Sequence, residues 1–180
     1  MIVKIKKMIA IMSLLTAMFS FADTWSVKSE INDPMATNKT YYALSPSFEP
    51  MNKVSFPYSD ARSWIGVGCN TDNDYWAFIG FNKSNFTGGE WKSGRKYHFA
   101  KIKYDDVINT IYLFEPSDGR DFLNVGSSDK RAFVMKLKAS NTVITGIPWY
   151  KQGNVWFRYS MAGSANAIDE IFKKFISKFS

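Results

Sequence analysis

Alternation of apolar and polar side chains with a period of two runs through most of this chain, and the period changes only near its end. In Phe133, Met135 and Leu137 the apolar positions alternate with Val134, Lys136 and Lys138. That spacing predicts a strand within Arg131–Ser140 with the lysines on its wet face. Thr142 to Ile147 is β-branched at nearly every position apart from Gly146, which suits a pleated surface. Pro148 lacks a ladder donor, so this strand is expected to end there or to lie on an edge. Val155, Phe157 and Tyr159 then alternate with Trp156, Arg158 and Ser160. From Ala167 the spacing becomes helical. Ile168, Ile171, Phe172, Phe175, Ile176 and Phe179 fall on one stripe. Ser164 or Asn166 is a candidate cap, Asp169 and Glu170 are placed in the first turn, and Lys173, Lys174 and Lys178 lie toward the far end. The stripe predicts a helix that closes the open end of a sheet core.

Upstream, the same alternation predicts strands at Thr24–Ile31, Lys96–Tyr104 and Asn109–Glu115, and short apolar or aromatic runs predict further strands at Lys39–Ser45, Ser63–Cys69, Tyr75–Phe81 and Phe122–Val125. Asn70 to Asp74 reads as a hairpin turn. Ser45 to Asp60, with three prolines, and the glycine-rich Asn82 to Gly94 read as long connections. No helix is expected before residue 163. The predicted fold is all-β, a β-sandwich or flattened barrel of about nine antiparallel strands with one C-terminal α-helix.

The first residues change the picture of where this domain works. Lys4, Lys6 and Lys7 precede an apolar run from Met8 to Phe21, and Ser20-Phe21-Ala22 puts small residues at −3 and −1 of a cleavage site. Residues 1–22 therefore read as a secretory signal peptide, and residues 23–180 as a single exported domain. The location expected is periplasmic or secreted, with no transmembrane segment after signal cleavage. Removing three lysines lowers the formal net charge from +7 to +4, so most of the apparent basicity goes with the signal, and no nucleic-acid partner is expected. Cys69 is the lone cysteine. No internal disulfide is possible, and a buried structural thiol is the expectation.

Candidate chemistry is sparse. His98 is the lone histidine, so a histidine-based metal cluster is excluded, and no Gly-x-Ser-x-Gly elbow accompanies it. Asn70-Thr71-Asp72-Asn73-Asp74 starts like a calcium loop but lacks the glycine and distal glutamate that an EF-hand needs. No metal, cofactor or catalytic residue is predicted. Aromatic residues, at 17%, are the one excess. Most are expected to fill the core, while Trp64, Trp76 and Trp156 belong to a wider set that could form a platform. Trp91, Trp149 and Tyr150 stand beside Gly88-Gly89, Gly94 and Pro148, which predicts loops, and they are the candidate ligand- or partner-binding residues.

Several features resemble the TagO-like accessory proteins of bacterial type VI secretion. They are the Trp25 strand followed by Asp33-Pro34-Met35, the strand into Cys69 followed by Tyr75–Phe81, and Val155-x-Phe157-x-Tyr159-x-Met161-x-Gly163 leading into a helix with Ala167 and Ile168. The closing strand, glycine and helix also resemble the invasion-associated locus B proteins, which carry more cysteines. The resemblance implies a small exported protein and carries over no catalytic residue. Two readings follow. One is a non-enzymatic bacterial envelope protein, a binding or secretion-accessory module whose partner is an envelope protein or a glycan. The other is a cell-wall or glycan hydrolase using surface carboxylates such as Asp118 and Asp121.

Overall fold

The computed structural model describes residues 24–30, 39–70, 74–117 and 121–176, with side chains to Lys174. The stretch expected as an export signal, Asp118 and Phe179 lie outside the described residues, as do the side chains of Phe175 and Ile176. The alternating segments form ten strands. These are β1 (Ser26–Glu30), β2 (Thr40–Leu44), β3 (Ser63–Asn70), β4 (Tyr75–Phe81), β5 (Glu90–Lys92), β6 (Arg95–Tyr104), β7 (Val107–Phe114), β8 (Phe122–Val125), β9 (Thr142–Trp149) and β10 (Gly153–Ser160). Two helices complete the described chain, α1 (Ser127–Ala139) and α2 (Ser164–Ile176). All strands join one antiparallel sheet in the order β1-β2-β3-β4-β8-β7-β6-β9-β10, with β5 added to β6.

The ladder is not closed, but loop 45–62 spans the gap. Phe48 bridges Ser63 of β3, and Pro50 bridges Phe157 of β10. The result is a flattened barrel with buried side chains lining its inside. Ile65, Val67, Ala77, Ile79, Leu113, Ile147, Val155 and Phe157 are all fully buried. Ser63, Thr145 and Tyr159 put three hydroxyls into this core. The Tyr159 hydroxyl sits 2.7 Å from Ser63 Oγ, which also donates to the Gly80 carbonyl, so these buried groups are satisfied by each other.

The helices cover one mouth of the barrel, where β3 and β10 end and β4 and β9 begin. α2 does what its stripe predicts: Ala167, Ile168 and Ile171 are buried, and Phe172 packs on the core with its ring 5.6 Å from Tyr75. Its start differs from the expectation. Ser164 is the first helical residue, and its hydroxyl donates to the Leu137 carbonyl at 2.8 Å instead of capping. Asp169 lies beyond the first turn and pairs with Lys138.

α1 corrects the sequence reading most. The stretch expected as a strand around Phe133–Leu137 is a helix, and it precedes residue 163. Phe133, Val134 and Leu137 face the core, whereas Met135 is 59% exposed. The alternation over five residues also fits a narrow helical face at i, i+1 and i+4. Topology decides between them. β8 lies between β4 and β7, yet β9 lies beyond β6, so the chain must cross the barrel mouth, and a helix satisfies its own backbone while doing so. Two smaller differences remain. β5 is a short strand inside the expected Asn82–Gly94 loop, and β9 continues through Pro148 to Trp149, which still pair with Asn154 and Gly153 of β10, while the Pro148 carbonyl accepts from Thr87 N–H at 3.1 Å.

Cys69 is free and fully buried beneath α2, with Sγ 3.5 Å from the Ile171 carbonyl. Burial pushes its thiol up to about 11, since charge is costly there. Thiol reagents at pH 8 are therefore expected to label the native protein far more slowly than the urea-unfolded chain. Equal rates would place Cys69 at the surface.

Candidate functional site

The mouth opposite the helices is plugged by aromatic rings. Trp149 sits at its centre, 5.6 Å from Tyr58, 5.9 Å from Phe81 and 6.1 Å from Phe157 between ring centroids. It is only 1% exposed, so of the three expected binding residues this one belongs to the core. The sequence placed it in a loop; it is the last residue of β9. Among the described residues its indole Nε1 and His98 Nδ1 are buried polar atoms without a hydrogen-bond partner, and both rings flank Phe86. The other two residues are exposed, Trp91 at 74% in β5 and Tyr150 at 51% in the turn after β9. They do not line the surface depression that lies between β4 and β5.

That depression is a groove of about 630 Å³ on the outer face of the sheet, running from β4 past β8 to β7, β6 and the overhanging β5. Strand pleating builds it, because outward positions of β6 and β7 fall opposite each other: Tyr97 faces Phe114, and Phe99 faces Tyr112. The Phe99 and Tyr112 rings are 4.6 Å apart, and each is nearly half exposed. Trp76 forms the opposite wall with Asn124, Ser127 and Ser128. Charges of both signs ring the groove. Lys130 pairs with Asp74 at 3.6 Å, and the Arg95 guanidinium lies 5.0 Å from the Phe114 ring centre. Among the described residues neither Lys92 nor Arg95 has an ion pair, and Glu90 sits on the same hairpin.

Trp76 also ends a second aromatic feature. Trp64, Gly66 and Gly68 point outward from β3; Trp76, Phe78 and Gly80 point outward from β4. The register sets Trp64 against Gly80, Phe78 against Gly66 and Trp76 against Gly68. A Cβ added at any of these glycines would fall under 3.0 Å from three atoms of the opposing ring. Each ring therefore lies face-down across a bare backbone, and a larger residue would lift it. The three rings form a track along the sheet, one rung every two residues, or about 6.6 Å. Tyr42 stands perpendicular to Trp76 and Phe78 at its side. Gly146 and Trp156 repeat the pairing on the far wall, beside a smaller apolar depression that also holds Met51, Ile108 and Ile144.

Two acids near these features are held in local contacts. Asp121 accepts from Ser84 Oγ at 2.6 Å. Glu115 lies 2.7 Å from His98 Nε2 and 3.0 Å from Lys96 Nζ. Burial alone would raise its pKa, but hydrogen bonds from Lys96 and His98 outweigh that and hold it below the usual carboxylate range. Among the described residues no three His, Cys, Asp or Glu side chains gather around a metal position, and no helix is long and apolar enough to cross a membrane. No family model, curated protein or solved structure matches this chain, so the geometry of this outer face is the basis for a functional reading.

Proposed function

We propose that this protein is a non-enzymatic binding module of the bacterial envelope, exported by its first 22 residues and serving secretion or envelope assembly as an accessory protein. The resemblance to TagO-like proteins supports the setting. The observation that carries the binding role is the groove walled by Tyr97, Phe99, Tyr112 and Phe114 on one side and Trp76 on the other. Folding leaves Phe99 and Tyr112 nearly half exposed as an adjacent pair on the outer face of the sheet. Aromatic rings grouped in a concave, mixed-polarity site are what ligand surfaces use. The hydrolase reading has less support, because Asp121, one of the two carboxylates it named, accepts from Ser84 Oγ, and Asp118 lies outside the described residues.

The test is co-sedimentation of the purified mature protein with isolated cell envelopes. The wild type is expected to pellet with them, and the double variant Phe99→Ala/Tyr112→Ala to lose most of that association while its melting temperature moves little. Equal pelleting of the two would remove the groove from the binding role. Release of soluble fragments from the envelopes would replace the module with an enzyme, and Glu90 and Asp74 at the groove would become its first candidate carboxylates.

A further inference from the structure

The track leading into the groove has a chemistry of its own. Three rings laid across glycines make a row along the sheet, with Tyr42 standing edge-on at its side. Protein partners interdigitate with the surfaces they bind. A row of rings spaced along one strand pair instead suits a ligand that is itself a row of flat, C–H-faced units, and β-linked pyranose sugars have that form. Where the track meets the groove, the ligand would encounter Lys92 and Arg95, which have no ion pair among the described residues, against Glu90 as the nearby acid on the same hairpin. The surplus is cationic. Arg95, steadied over the Phe114 ring, presents a fork suited to a carboxylate.

We propose that the Trp64–Phe78–Trp76 track and the adjoining groove bind a β-linked glycan strand that carries carboxylates, the chemistry of the cell-wall glycan with its lactyl-bearing sugars. This rests on the binding-module reading and specifies its ligand. Stacking on the rings supplies affinity without reading sugar identity, while Arg95 and Lys92 select for the acid group. Binding is therefore expected to weaken with rising salt.

The probes are purified cell-wall glycan strands stripped of peptide, with neutral chitohexaose as the comparison. The acidic strands are expected to bind more tightly, and Arg95→Gln to erase the difference. Trp64→Leu and Phe78→Leu keep an apolar cover on the facing glycine but remove the ring, and each is expected to weaken both ligands about tenfold, the effect of losing one aromatic contact. A measurement on the wild type guards against variants that do not fold: the indole N–H resonances of Trp64 and Trp76 are expected to shift on titration, and that of buried Trp149 to stay. The proposal is overturned if neither ligand binds, if the leucine variants bind as well as wild type, or if shifts are confined to Trp91 or Trp156. Continued envelope co-sedimentation alongside any of these results would leave the module standing and reject only its ligand.

Discussion

Trp149→Ala is expected to cost about 3–5 kcal/mol of stability, the range for removing a large buried aromatic side chain. Trp149 is the hub of the plug at the mouth away from the helices, in contact with Tyr58, Phe81, Phe86 and Phe157. Those rings come from loop 45–62, β4, the loop after β4, and β10, so one truncation loosens four separate segments. For a chain of this size each kcal/mol moves the melting temperature by about 2–4 °C, and the midpoint should fall on the order of 10 °C. Tyr150→Ala and Trp91→Ala remove exposed rings and should stay within about 0.5 kcal/mol of wild type. Thermal unfolding of the three variants checks this. A nearly unchanged midpoint for Trp149→Ala would mean that the plug carries little of the stability and that this indole is free for a ligand after all.

Trp149 also shows where sequence reasoning loses its grip. Its neighbour Pro148 signals the end of a strand, and a tryptophan beside such a break reads as a loop residue. The loop residue that covers it, Phe86, bridges it from far upstream, and no local pattern reports a contact of that kind. Strands, by contrast, were legible wherever one face is wet, as in β6, where Lys101 and Lys103 alternate with buried Ala100, Ile102 and Tyr104. The ring track lies between these cases. Its signal is present in two strings, Trp64-x-Gly66-x-Gly68 and Trp76-x-Phe78-x-Gly80, each placing a glycine where the other needs room. Seeing it requires the register, which pairs Trp64 with Gly80 and Trp76 with Gly68. β3 and β4 contain so much glycine and aromatic surface on their outer side that they read as nearly continuous apolar runs, which hides the wet face. The groove was less accessible still, since it joins outward residues of the β6–β7 pair to β4, which reaches them only through β8 and is not their neighbour in sequence.

The second large effect is expected in α1, where the two possible periods assign different residues to the core. Read as a strand, Phe133, Met135 and Leu137 share a face and should be comparably costly to truncate. Read as the helix observed, Phe133, Val134 and Leu137 are buried while Met135 points to solvent. Phe133→Ala should then cost about 3–5 kcal/mol and Leu137→Ala about 2–5 kcal/mol, because Phe133 packs near Tyr104 with ring centroids 6.4 Å apart and Leu137 is fully enclosed. Met135→Ala should stay within about 0.5 kcal/mol, since alanine is a better helix former and little burial is lost. The local chemistry agrees with the helix. Asp129 lies in the first turn and Lys136 and Lys138 in the last, as the macrodipole favours. Lys138 also reaches Asp169, and Leu137 offers its carbonyl to Ser164, so the end of α1 is fastened to the start of α2. Loss of Phe133 should therefore also loosen the cover over Cys69, and its thiol should label faster in Phe133→Ala than in Met135→Ala. Denaturant unfolding of the three variants, with thiol labelling of the two, decides the matter. A loss at Met135 as large as that at Phe133 would restore the strand.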